Sequence, residues 1–198
     1  MLLKKNSIET KIYGFANEIF PYHRSITGTG VRKTLQKIKS ILKNLKIIEV
    51  PSGTKAFDWI VPNEWFISEA YIIDPTGRKI CDIKKNNLHV VSYSKNIDIK
   101  IDLEELKKKL YSLPKQPSAI PYVTSYYKSD WGFCITENQK KKLKKGIYKA
   151  IIRSKHFKGS LTYGELLIKG KSKKEVLLST YICHPSMANN ELSGPTVV

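Results

Sequence analysis

Hydrophobic positions divide this chain into a helical start, a β-rich middle and a strand-like close. From Ser7 to Ile19 the apolar residues Ile8, Ile12, Phe15 and Ile19 recur at helical spacing, with Ser7 as a start signal and Pro21 as a stop. Val31, Leu35, Ile38, Ile41 and Leu42 mark a second amphipathic helix above a lysine-rich face. Residues 46–50 form a β-type run closed by Pro51, Ser52 and Gly53. Residues 57–61, 65–73 and 79–83 then read as short strands punctuated by Pro62, Asn63, Pro75 and Gly77. A helical turn is expected over 103–111, an irregular proline-broken stretch over 113–122, and a polar helix over 136–145 ended by Gly146. Residues 147–154 and 160–168 predict a hairpin across 155–159. The almost unbroken apolar run 175–182 predicts a strand covered on both faces, central in a helix-covered sheet.

Composition narrows the class. No stretch approaches the roughly 20 apolar residues of a membrane helix, and residues 1–11 lack the apolar core of a secretory signal. A soluble cytoplasmic protein with no membrane partner is the expectation. Cys81, Cys134 and Cys183 are odd in number and widely spaced, which suggests neither a disulfide framework nor a thiolate zinc ribbon. The net charge of +18 invites a nucleic-acid reading, but Arg stands only at 24, 32, 78 and 153. Recognition of bases and phosphates leans on the arginine fork, so no specific nucleic-acid partner is expected, and the basic run 140–145 reads as a solvated helix face.

The candidate chemistry follows the last apolar run. His184 offers an imidazole nitrogen, Glu191 a carboxylate and Asn190 an amide oxygen within one loop, a set able to help hold a divalent metal. Ligands collect at the carboxyl ends of strands in α/β folds, which places His184 well. Spacing alone also fits a His that only hydrogen-bonds at a strand end, before an Asn-Asn-Glu cap. Cys183 reads as an inert thiol, because neighbours in an extended segment point to opposite faces and would hold it away from His184. Arg24 and Asp58 read as a pair, a substrate contact or ordinary surface charges. Trp59, Trp65, Trp131, Phe57, Tyr126 and Tyr127 read as core packing or an aromatic platform. No role falls to His23, His89 or His156.

Several blocks resemble a bacterial family of aminopeptidase-like proteins described as polysaccharide-biosynthesis proteins. They are Phe20-Pro21 with Arg24-Ser25-Ile26-Thr27-Gly28, Val50-Pro51-Ser52-Gly53-Thr54, Phe57-Asp58-Trp59 with Val61-Pro62 and Glu64-Trp65, Tyr126-Tyr127 with Trp131-Gly132-Phe133-Cys134, and residues 179–195. That family resembles metallopeptidase family 28, the co-catalytic zinc aminopeptidases. The resemblance implies an α/β fold: a partial α/β/α sandwich (1–53 and 146–198) interrupted by a small β-rich inserted domain of unknown function (54–145). It implies two zinc ions, His184 as the first ligand, and Asn190 or Glu191 at the position of the bridging carboxylate.

Two residues depart from that pattern. Asn190 stands where the bridging aspartate falls, with Glu191 beside it, and Ser186 replaces the aspartate that orients the imidazole. The general base and the remaining ligands are expected beyond Val198, with Pro195 opening a helix, so the chain reads as a fragment inactive alone. Its full form is expected to cleave amino-terminal residues from peptides or a related amide, and a homo-oligomer is compatible with it. The alternative is a non-catalytic binder of a peptide or glycan precursor on the same fold, and no substrate-binding residue is assigned.

Overall fold

A computed structural model describes residues 7–197. Its helices are α1 (Ile8–Ile19), α2 (Thr29–Ile41), α3 (Leu103–Lys107), α4 (Glu137–Lys140) and α5 (Ser193–Val197). Its strands are β1 (Lys46–Pro51), β2 (Lys55–Ala56), β3 (Trp59–Ile60), β4 (Glu64–Ile73), β5 (Lys79–Ile80), β6 (Ile97–Asp102), β7 (Leu110–Tyr111), β8 (Phe133–Cys134), β9 (Ile147–Phe157) and β10 (Ser160–Glu165). Helices and strands are mixed, and the sheets are small, of two or four strands. Among the described residues no helix is long and apolar enough to cross a membrane.

The chain forms two compact units. One joins the residues up to Glu64 with those from Lys158 onward, and the other is Trp65–Phe157. The sequence places the crossings after Gly53 and before Gly146. In the structure the compact units divide eleven to twelve residues later, at Glu64/Trp65 and Phe157/Lys158; β9 lies between β4 and β6 in the inserted unit's sheet, pairing with β6 over Ile147–Ile152.

In the discontinuous unit, Ser7 caps α1 by accepting from the Thr10 amide at 3.3 Å. Ile19 is buried at the far end of α1, whereas Ile8 is exposed, so the apolar stripe is covered only toward its carboxyl end. Val31 and Leu35 of α2 bury against Leu45, with Ile38, Ile47, Leu166 and Ile182 packed around them. Strands β1 and β10 pair antiparallel from Lys46 opposite Glu165 to Pro51 opposite Ser160. A Cβ at Gly30 would lie 2.1 Å from the His23 carbonyl oxygen, so this position lets α2 start hard against the preceding loop.

The inserted unit is built on the sheet β5-β4-β9-β6. In β9, Tyr148, Ala150, Ile152 and Ser154 are buried at every second position, which covers one face throughout, and Ile151 is buried on the other. Trp65 stacks on Tyr93 at 5.6 Å, and Tyr126 meets Tyr93 edge-on at 5.0 Å. Trp65 and Trp131 are buried packing residues, while Phe57, in the other unit, is exposed.

Three local expectations are corrected. Strands β9 and β10 form no hairpin: β9 pairs with β6 and β10 with β1. The intervening Gly159 is tied to the Pro51–Gly53 turn, exchanging hydrogen bonds with Ser52 at 2.9 and 3.1 Å. Residues 175–182 are assigned to no strand, and Val176, Leu177 and Leu178 are 89, 88 and 71% exposed. A strand is made by partners as much as by propensity, and no described strand pairs with this run. The polar helix shrinks to α4, because residues 140–145 offer almost nothing to bury.

Candidate metal centre

The loop after Ile182 bends instead of continuing extended. Pro185 breaks it, Ser186 takes a left-handed φ of 50°, and Ala188–Leu192 winds into a π-helical turn leading into α5. Such wide turns are uncommon and concentrate at functional sites. Here the Glu191 amide donates to the Met187 carbonyl at 2.8 Å, and the turn carries the Glu191 side chain fully inside while Leu192 is buried beside it. Gly194 then passes so close to Thr180 that a Cβ would lie 1.9 Å from the hydroxyl oxygen.

This bend assembles Cys183, His184 and Glu191, whose donor atoms lie within 4.8 Å of one another. His184 Nδ1 and Glu191 Oε1 are in direct contact. Cys183 Sγ lies 3.5 Å from His184 Nδ1 and 3.9 Å from Glu191 Oε1. The other carboxylate oxygen, Oε2, is buried and accepts no hydrogen bond among the described residues. Burial pulls the His184 pKa down, but its hydrogen bonds to Cys183 and Glu191 outweigh that and raise it to about 9. At neutral pH the ring is therefore an imidazolium lying against the buried Glu191 side chain.

Arg24, in the loop after α1, is also fully buried. Its Nη1 donates to the Ile19 carbonyl at 2.7 Å and its Nε to the His184 carbonyl at 3.0 Å, joining positions 160 residues apart. Burial lowers its pKa, opposed by the charges of Glu191 and Cys183. Ser25 closes the same loop by donating to the Thr27 carbonyl at 2.6 Å.

The structure thus brings His184 and Glu191 together and leaves Asn190 at the rim, where its amide donates to the Tyr181 hydroxyl at 3.2 Å. Sequence reasoning missed Cys183, because alternation holds only in an extended segment. It also missed the place of Arg24, which is buried while Asp58 is exposed. The Arg-Ser-Ile-Thr-Gly block was the available signal. The remaining thiols are structural, since burial pushes Cys81 and Cys134 up to about 12. His89 and His156 are held by main-chain oxygens, at 2.8 Å from that of Cys134 and 3.2 Å from that of Tyr93.

The donor set suits a borderline-soft cation such as zinc, which accepts sulfur, nitrogen and oxygen ligands. With bonds of 2.0–2.3 Å the edge of a tetrahedral site is about 3.5 Å, close to the two distances measured from Cys183 Sγ. His184 and Glu191 face each other directly across the third side of that triangle. The buried, unbonded Glu191 Oε2 adds a free acceptor, so the residues fit a metal once the imidazolium proton has left.

Residues 13–198 match the model of a protein family described as "Domain of unknown function (DUF4910)". Over 196 residues the chain is 49% identical to a Clostridium acetobutylicum protein named "Putative polysaccharide biosynthesis protein with aminopeptidase-like domain", an alignment covering 98% of this chain and 45% of that protein. A crystal structure of a "putative peptidase" from Clostridium acetobutylicum superposes with a TM-score of 0.90 at 50% identity, over 96% of this chain and 46% of the other. The chain spans about half the length of these relatives. Its match to the family model over nearly its whole length places it plainly: the chain belongs to the DUF4910 family.

Proposed function

We propose that this chain carries the first metal-binding segment of a zinc-dependent aminopeptidase-like hydrolase, whose complete form removes amino-terminal residues from peptides or cleaves a related amide. The observation that carries the reading is the cluster of Cys183, His184 and Glu191, with one Glu191 oxygen buried and unbonded. The names of the relatives agree with it. His184 and Glu191 would hold the metal, with Cys183 offering a third donor. Zinc, when bound, polarises an amide carbonyl and lowers the pKa of a coordinated water. The chain's own contribution is to bury Glu191 away from water and to hold on His184 a proton that would pass to solvent before the ring could ligate, so that binding is coupled to proton release. The same reading places the discontinuous unit in an α/β/α sandwich of the zinc-aminopeptidase kind, binding two zinc ions in the complete protein. Trp65–Phe157 is then an insert, and the protein acts in the cytoplasm without nucleic acid.

The second reading is a non-catalytic binder of a peptide or glycan precursor. It is favoured by Asn190, which stands outside the donor cluster against Tyr181, and by Ser186. The test is zinc-dependent release of the amino-terminal residue from aminoacyl anilides, measured for this chain and for its Clostridium acetobutylicum relative. Activity in the longer protein, lost in both zinc content and rate when the residue matching His184 becomes Ala, is the expected result. Peptide binding without zinc or turnover would favour the binder.

A further inference from the structure

Arg24 is a costly residue to bury in a loop, and the protein buries it completely. Its guanidinium does not close on a carboxylate. It spends two donors on main-chain oxygens, one at the end of α1 and one at His184 itself. Its third nitrogen, Nη2, is buried with no hydrogen-bond partner among the described residues, as is Glu191 Oε2 on the same cluster. A core element would satisfy these atoms, since an unsatisfied buried polar group costs about 1–3 kcal/mol. A single ammonium in place of the fork could not span both carbonyls with that planar geometry.

We propose that Arg24 is a positioning residue, whose fork fixes the His184 main chain to the end of α1, holding residues 183–191 in the arrangement that assembles the donor cluster. Its consequence for metal affinity rests on the zinc reading above; its consequence for the loop does not. Arg24 thereby ties the end of α1 to the loop at His184 through two hydrogen bonds to main-chain oxygens.

Two readouts on the full chain test this: hydrogen–deuterium exchange of amides 183–192, and affinity for cobalt(II) alone. In Arg24→Ala, exchange in 183–192 should rise at least about tenfold while β9 amides stay unchanged, and cobalt affinity should fall about 10- to 100-fold. Millimolar guanidinium should restore both, and equal sodium chloride should not, a rescue that a general loss of structure would not show. Arg24→Lys, keeping charge without the fork, should show intermediate exchange. Exchange within twofold of wild type in both variants, or no rescue beyond that of salt, overturns the proposal. If Arg24→Ala does not fold, wild-type exchange in Arg24→Lys overturns it equally. A wild-type chain that binds no cobalt while its loop loosens in Arg24→Ala supports the positioning role and counts against the cluster of Cys183, His184 and Glu191 as a metal site on its own.

Discussion

The discontinuous unit buries two glutamates beside arginines and treats them in opposite ways. Glu64 receives both arms of the Arg32 guanidinium, one at 3.1 Å, and the Ser160 amide at 3.3 Å. Glu191 uses one oxygen, toward His184 and the Cys183 thiol, and among the described residues leaves the other unbonded, while Arg24 turns its donors to main-chain carbonyls. A closed bidentate pair is a structural clamp, here tying α2 to the start of β4 and the turn before β10. An open one leaves an acceptor for a ligand. Residues that serve function are routinely left short of their best stability, and the unmet hydrogen bond of Glu191 is what the proposed metal site rests on.

Substitutions can break this comparison. Glu191→Gln should lower zinc affinity at least about 100-fold, beyond the 10- to 100-fold loss that follows removal of a supporting residue. It should cost the fold only about 1 kcal/mol, since His184 can shed its proton once its partner is neutral. Calorimetric titration with zinc and urea unfolding measure the two, and wild-type zinc affinity would remove Glu191 from the centre. Glu64→Gln should reverse the pattern, costing about 3 kcal/mol by stranding Arg32 and leaving zinc affinity untouched.

The pH dependence sharpens the same contrast. Burial lowers the His23 pKa from 6.5 to about 4, against a smaller opposing hydrogen bond. The unfolded chain therefore takes up a proton below pH 6.5 that the folded chain refuses, and stability should fall by up to about 3 kcal/mol between pH 6.5 and 4. His89 is lowered by burial too and adds in the same direction. His184 has the opposite sign: its pKa of about 9 means that its contribution is complete below pH 6.5 and fades as pH rises through 9. Melting temperature should thus peak near pH 6.5, with the acid limb reduced by His23→Gln and the alkaline limb by His184→Ala. An unchanged acid limb in His23→Gln would show that His23 does not carry it.

How much of this was legible in sequence depended on whether the determinant was local. Helices α1 and α2 and strand β1 were readable because capping and periodicity act within a few residues, as the Ser7 cap shows. His184 and Glu191 were readable as residue types that bind metals. The rest is set by distant partners. Strand β9 chose β6, about 50 residues upstream, over the adjacent β10. Arg24 reaches a carbonyl 160 positions away, and its motif block marks the residue without marking that partner. Cys183 joined His184 only because the chain bends at Pro185 and Ser186.

The smallest expected effect tests the largest of those misreadings. A strand covered on both faces would make Leu177 a core residue, and truncating a buried leucine costs about 2–5 kcal/mol. In the structure Leu177 is 88% exposed, while Ile182, at the end of the same run, packs on the cluster of Val31, Leu35 and Leu45. Leu177→Ser should therefore change stability by no more than about 0.5 kcal/mol, and Ile182→Ala by about 1–2 kcal/mol, both by urea unfolding. A loss above about 2 kcal/mol at Leu177 would mean that the run is covered in solution. A melting temperature that then rises with protein concentration would identify the cover as a second copy of the chain, making the apolar pattern of 175–182 a statement about a partner strand.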